Sequence, residues 1–303
     1  MADETGGRKT GLTRLLRYGS AGEDVLAVKR RLFELGCYSP HITQLKTNAF
    51  GADTRAAVRV FQAQNGLETD GVVGPLTYGA LFPEAEADAP PLERTAISPN
   101  IGDAAAALIL PALERAGAVR RGIVFDALQF AFDAEVARDY PVSLYIRGGN
   151  LYNTDLTPNV ITLARISSGA KRQPEYYDGG RREMMERAVL ENPDITGADC
   201  SGGVVGLLRH AGVVAAGFDL SADGFHAKAD IRHIPSAELA PGDLLHKSGH
   251  VGLYAGGGYA AEWMGGAYGC QLTKLAARRG WNFVKQKTDR FGAWTGYLHP
   301  TWY

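Results

Sequence analysis

Apolar residues recur at helical spacing in two stretches near the start of the chain. In GEDVLAVKRRLFELG (22–36), Val25, Leu26, Val28, Leu32 and Leu35 fall near one stripe, and Gly36 suits a stop. In GADTRAAVRVFQAQNG (51–66), Thr54 reads as the cap, Ala57, Val58, Val60 and Phe61 as the buried face, and Gly66 as the end. A short third helix is expected from Pro75, which suits a first turn, to Leu81. Further on, AVRRGIVFDALQFAFDAEVARDYP (118–141) places Val124, Leu128, Ala131, Phe132 and Val136 near one face. A helix stopped before Pro141 is expected there.

After residue 243 the pattern changes to short β-type runs between glycine-rich turns: DLLH, HVGLYA, YAAEWM, CQLTKL and WTGYLHP. These predict an antiparallel sheet. Helices followed by strands make the second part an α+β domain. Between the two parts, PEAEADAPPLERTAISPN (83–100) has no sustained periodicity and reads as a linker. Residues 151–196 are polar and mixed in charge, which predicts a solvated insertion with one helix around Arg182–Leu190.

Composition narrows the function classes. The chain has 303 residues, room for two domains with cores of their own. Its 32 basic and 33 acidic residues leave a net charge of −1, so no global field points to nucleic acid or an anionic membrane. No apolar run reaches the length of a bilayer span. The first residues, MADETGGRKTGLTRLLRYGS, lack the apolar core of a signal peptide, so export by the general route is not expected. Three cysteines, Cys37, Cys200 and Cys270, with no C-x-x-C pair, argue against a disulfide framework and a thiolate metal site.

Chemistry concentrates at GADCSGG (197–203). Asp199 is a favoured N-cap, Val204, Val205, Leu207 and Leu208 follow at apolar positions, and Gly212 suits the stop. Cys200 then sits in a first turn, where unpaired N–H groups and the dipole favour a thiolate. The dipole supplies only about 0.3–1 kcal/mol, less than a tenfold change in acidity, so a reactive thiol needs a basic partner. By itself the pattern fits a buried filler better than a nucleophile, cysteine being among the most buried residue types.

His250 supplies the partner. It opens an alternating strand, glycines 256–258 turn the chain, and Tyr259–Met264 returns. A turn centred on Gly256 puts His250 opposite Glu262 on one face of the sheet. The carboxylate could then hold one imidazole nitrogen while the other addresses the thiol. Two separate polar positions on a solvent-facing strand are the plain alternative. His210, His226 and His233 read as solvated or local hydrogen-bond formers, and His246 as a cleft residue outside the triad. Cys37 and Cys270 read as structural, and Arg181, Arg182 and Arg187 as a solvated helix face.

Two resemblances cover most of the chain. Residues 18–83, with Val58, Phe61 and Gln62 in a V-x-x-F-Q pattern and then Asp70, Gly71, Gly74 and Thr77, resemble the peptidoglycan-binding type 1 domain. SPHITQLKTNAFG is longer than that family's usual connection. Roughly residues 118–300 resemble the NlpC/P60 cysteine peptidases. Asp199-Cys200-Ser201-Gly202 matches D-C-S-G, Gly249 to Tyr254 matches G-H-V-G-[IL]-Y, and PGDLLH (241–246) matches P-G-D-L. The family's third polar position falls on Glu262, where many members carry histidine. LYIRGG (144–149) resembles Y-x-W-G-G, with Tyr145 in place and Arg147 replacing tryptophan.

The resemblance implies a papain-like fold, helices packed on an antiparallel sheet, preceded by a small three-helix bundle. The implied domains are a tail (1–17), a peptidoglycan-binding domain (18–83), a linker (84–100) and a peptidase domain (101–303) with an insertion around 151–196. It also implies a peptidoglycan hydrolase that needs no cofactor or metal and acts at the cell wall, after non-classical release or as a phage lysin. Its partners are the glycan and stem peptide, without nucleic acid or membrane insertion. Cys200, His250 and Glu262 are the implied triad. Tyr145 is an implied oxyanion or substrate contact, and Asp199 and Ser201 are implied contacts to the stem peptide. The rival readings are an amidase or acyl transferase on the same scaffold, and an inactive wall-binding protein.

Overall fold

The computed structural model describes residues 12, 15–39, 42, 45, 47–67, 69–83 and 92–303. They form two compact units. One runs to Pro91 and takes in His210–Ala215, and the other comprises Leu92–Arg209 and Ala216–Tyr303. Residues 84–91 of the expected linker, and most of the expected tail, lie outside the described residues.

The first unit has the three expected helices, α1 (Glu23–Glu34), α2 (Ala52–Gln64) and α3 (Pro75–Leu81). Val25, Val28 and Leu32 of α1 and Ala57, Val58 and Phe61 of α2 close a core with Leu16, Phe50, Val73 and Leu81. The buried stripe is narrower than the spacing predicts, since Leu35 and Val60 are exposed. Thr54 is not the cap of α2. Gly51 holds that position, and Thr54 is buried one turn in, where its hydroxyl accepts from the Tyr38 hydroxyl at 3.0 Å.

Gln62, 2% exposed, explains the spaced Gln, Asp-Gly and Thr of this region. Its Nε2 donates to Asp70 Oδ1 (2.8 Å), the Val72 carbonyl (2.9 Å) and Thr77 Oγ1 (3.1 Å). Its Oε1 accepts from the Gly71 N–H at 2.9 Å. One helix side chain thus satisfies a whole turn that a buried backbone could not leave unpaired.

The second unit is α+β. α4 (Asp103–Glu114) and α5 (Ala118–Phe130) lie against a seven-stranded sheet. Its strands are β1 (Phe132–Asp133), β4 (Ile231–His233), β5 (Leu244–Lys247), β6 (His250–Gly256), β7 (Tyr259–Trp263), β8 (Cys270–Lys274) and β11 (Gly296–Pro300). The order is β1-β8-β7-β6-β5-β11-β4, antiparallel except for the edge pair β1–β8. A pair β2 (Ser143–Tyr145) and β3 (Thr196–Ala198) runs parallel beside it, and β9 (Arg279–Asn282) and β10 (Lys287–Arg290) form a separate hairpin.

Three expectations need correction. The helix at 118–141 ends at Phe130. Phe132 and Asp133 instead extend the sheet, the Ala134 N–H donates to the Leu272 carbonyl, and Val136 is exposed. Residues 92–100 are part of the second unit. Ile97 is buried, and Arg94 donates to Asp103 and to the Ile97 and Ile101 carbonyls. Residues 151–196 carry more than a solvated helix. α6 (Leu163–Arg172), α7 (Arg181–Glu191) and the segment between them bury Ile166, Tyr177, Met184, Met185 and Ala188 in a core shared with Phe132, Leu144, Ile146 and Phe283. The charges that suggested solvation lie on the outer faces, and a few well-spaced apolar residues suffice for the inner ones.

Candidate active site

Cys200 opens helix α8 (Cys200–His210) directly after β3. Asp199 caps it, as its residue type predicts. Oδ1 accepts from the Gly202 N–H (2.8 Å) and the Ser201 hydroxyl (3.1 Å), and Oδ2 from the Gly148 N–H (2.9 Å). The helix start lies hard against the sheet. A Cβ at Gly203 would come within 2.2 Å of the Trp263 ring, so only glycine fits there. β2 pairs with β3 so that Tyr145 stands opposite Ala198, two residues before Cys200.

The partner histidine arrives on β6. The Cys200 thiol lies close enough to His250 to raise its imidazole, and its Sγ donates to the Gly249 carbonyl at 3.9 Å. His250 Nε2 meets Glu262 Oε2 at 2.7 Å, which leaves Nδ1 for the thiol side. The register differs from the expected one. Leu253 faces Ala261 and Tyr254 faces Ala260, with a bulge between Tyr254 and Gly256. Glu262 therefore falls beside Gly252, and His250 reaches it along the diagonal. A shift of two positions keeps both side chains on one face, so the contact survives the changed register. Gly252 makes room for it, since a Cβ there would meet Glu262 Cβ at 3.2 Å and the Trp294 ring at 3.0 Å.

Glu262 is fully buried. Besides His250 it accepts from Thr273 Oγ1 (2.5 Å) and Arg278 Nε (2.8 Å) on Oε1, and from Arg278 Nη2 on Oε2. Burial pushes its carboxyl up, but the bonds and charges of Arg278 and His250 outweigh that and hold it down at about 2. Burial pulls the His250 imidazole down. Its contacts with Cys200 and Glu262 and their charges win, raising it to about 9. Trp294 stacks on His250 at 5.3 Å and 14°, and the Arg278 guanidinium lies 4.3 Å from the Trp294 ring centre. The four side chains close a ring: His250, Glu262, Arg278, Trp294.

Tyr145 stands near the thiol. Burial, then the charges of Cys200 and Asp199, push its hydroxyl up to about 12, so it is a neutral donor at any working pH. The Arg147 guanidinium lies beside Tyr145 and covers the Tyr176 ring at 5.1 Å. An open cleft of about 280 Å³ borders the helix start, lined by Gly148, Asn150, Asp199, Ser201, Asp219 and Ser221. Asp199, Cys200 and Ser201 thus lie at the start of α8, His250 and Tyr145 lie near the thiol, and Glu262 is one contact further away, behind His250.

His246 lies outside this group, as expected. Its Nε2 meets Asp223 Oδ1 at 2.9 Å, and the same oxygen accepts from the Gly249 N–H at 2.9 Å, fixing the turn that carries His250. His226 stacks on His246 at 4.2 Å and meets His233 edge-on. Among the described residues no group of three such side chains is arranged to hold a metal ion. Sequence reading missed Thr273, Arg278, Trp294 and Asp223. Strand alternation could have found Thr273, which lies two residues from Gln271, the partner of Glu262. Arg278 and Trp294 come from irregular segments with no such signal.

Residues 21–81 match one family model, described as "Putative peptidoglycan binding domain". That match gives peptidoglycan as the partner expected of the first unit. Among curated proteins, 62 residues are 37% identical to the spore cortex-lytic enzyme of Halalkalibacterium halodurans, 20% of this chain and 18% of that protein. A 75-residue stretch is 33% identical to the chloroplastic protein disulfide isomerase pTAC5 of Arabidopsis thaliana, 25% of this chain and 19% of that protein. The chain thus spans less than a fifth of either relative. Two solved structures are similar at low scores. The peptidoglycan hydrolase RipB of Mycobacterium tuberculosis has a TM-score of 0.29 and 17% identity, over 92% of this chain and 85% of that one. A Burkholderia AP3 phage endolysin has a TM-score of 0.20 and 19% identity, over 53% and 62%. Scores this low carry no argument. No helix among the described residues is long and apolar enough to cross a membrane.

Proposed function

We propose that the chain is a peptidoglycan hydrolase of the NlpC/P60 type. In this reading the first unit holds the wall while Cys200, His250 and Glu262 cut a stem-peptide amide, the bond between γ-D-glutamate and the diamino acid. The single observation that carries it is the chain of contacts from Cys200, at a capped helix start beside an open cleft, through His250 to a buried carboxylate. The family match of residues 21–81 supplies the substrate class. Tethering a weak wall binder to the enzyme raises local substrate concentration without altering the chemistry.

The Cys200 thiolate attacks the amide carbonyl carbon, and the carbonyl electrons move onto oxygen. The Cys200 N–H, an orphan donor of the first helical turn, and the neutral Tyr145 hydroxyl stabilise that oxyanion. The imidazolium of His250 then gives a proton to the leaving nitrogen as the C–N bond breaks, leaving a thioester. Neutral His250 next takes a proton from water, the resulting hydroxide attacks, and the C–S bond breaks to release the acid. Glu262 orients His250 throughout. Asp199 Oδ2 keeps a second acceptor position toward the cleft, suited to a substrate ammonium, with the Ser201 hydroxyl beside it.

The test is mass spectrometry of products from a defined muropeptide. Cleavage after γ-D-glutamate by the parent, and none by Cys200→Ala, is expected. Unchanged cleavage by Cys200→Ala would refute the nucleophile, and a product cut between sugar and peptide would make the chain an amidase.

A further inference from the structure

We propose that Arg278 is a positioning residue that keeps Glu262 a pure acceptor and thereby fixes His250 in the tautomer bearing its hydrogen on Nε2. The inference rests on the Cys200–His250 reading and adds a fourth member to it. An ionised carboxylate offers about four lone-pair positions, two on each oxygen. Here each is filled. Oε1 receives Thr273 Oγ1 and Arg278 Nε, and Oε2 receives His250 Nε2 and Arg278 Nη2. A proton cannot settle on Glu262 without evicting one of these donors.

Without Arg278 the carboxylate would be a buried anion facing only the imidazole and a hydroxyl, a setting that favours proton uptake. A protonated carboxyl can donate its O–H to Nε2. The imidazole hydrogen then moves to Nδ1, toward the Cys200 sulfur, where a lone pair is needed to accept the thiol proton. The planar fork of arginine suits this task, since two parallel N–H groups span both oxygens at once. Trp294 holds the fork from one face while stacking on His250, so the two groups bonded to Glu262 share one wall. On the other sides Glu262 faces His250 from β6 and Thr273 and Gln271 from β8, while the buried Cys270 thiol lies against the Glu262 backbone.

The test compares the full-length parent with Arg278→Lys, Arg278→Met and the double variant Arg278→Met/Glu262→Gln. The readout is the rate of iodoacetamide alkylation at Cys200 from pH 4 to 9, followed by peptide mass spectrometry, with circular dichroism as the check on folding. In Arg278→Met the acid limb of the profile should rise by about one pH unit, a roughly tenfold slower reaction at its midpoint. Arg278→Lys should fall between the two. The double variant should recover most of the loss, because a Gln carbonyl accepts from Nε2–H and needs no counter-ion. A folded Arg278→Met whose acid limb coincides with the parent's overturns the proposal. So does a double variant no faster than Arg278→Met. If Arg278→Met does not fold, the Lys and double variants decide between the same outcomes. A parent whose Cys200 reacts no faster below pH 8 than an ordinary thiol refutes the proposed nucleophile itself, a result distinct from either.

Discussion

Replacing Glu262 by alanine should destabilise the second unit by several kilocalories, and the structure says why. The change removes the acceptor of four donors and leaves Arg278, only 4% exposed, as an unpaired cation in the interior. Breaking a buried ion pair from one side costs about 3–5 kcal/mol, because the remaining charge stays desolvated. For a unit of this size, each kilocalorie lowers the melting temperature by about 2–4 °C, so a fall of roughly 6–20 °C is expected. Calorimetry of the parent, Glu262→Ala, Arg278→Met and the double Glu262→Ala/Arg278→Met variant measures it. The double variant should melt well above Glu262→Ala, since exchanging a buried pair for apolar groups is often close to neutral. A Glu262→Ala melting point within about 2 °C of the parent would refute the buried network, as would strictly additive single effects.

Two further outcomes follow from the same geometry. The folded His250 stands at about 9, above its unfolded value of about 6.5, so its contribution to stability is full below pH 6.5 and fades as pH rises through 9. Urea midpoints should therefore fall between pH 6.5 and 9, and the fall should shrink in Cys200→Ala; equal slopes in the two proteins would contradict the thiol–imidazole contact. In the first unit, Gln62→Leu should cost about 1–3 kcal/mol by leaving the buried Gly71 N–H and Thr77 hydroxyl short of partners, and should weaken binding to purified sacculi. An unchanged urea midpoint for this unit would show that the turn holds without Gln62.

The elements that carry chemistry were legible in the sequence because local rules set them. Asp199 caps α8, the alternating runs after residue 243 became strands β5 to β8 and β11, and the three N-terminal helices lie where their apolar spacing places them. The hairpin contact of His250 with Glu262 was legible in kind and wrong in register. The chain turns at Gly257-Gly258 rather than about Gly256, and a bulge after Tyr254 takes back one position, so the pairing ends two positions from the expected one; alternation sees neither. What stayed hidden depends on distant partners. Arg278 and Trp294 acquire meaning only when the chain beyond β8 folds back over Glu262. Phe132 and Asp133 leave a helical pattern because the edge of β8 offers them hydrogen bonds. The core under α6 and α7 is invisible in a segment whose composition is dominated by charge.

The stack of Trp294 on His250 also gives the protein an internal optical probe. A protonated imidazole quenches the fluorescence of an indole in contact with it, whereas a neutral one quenches little. The charge state of the histidine beside the thiol is therefore written into the emission of the chain. The other three tryptophans, Trp263, Trp281 and Trp302, form no such pair with a histidine among the described contacts. Light emitted at one ring then follows a proton at another, with no label attached and no substrate needed.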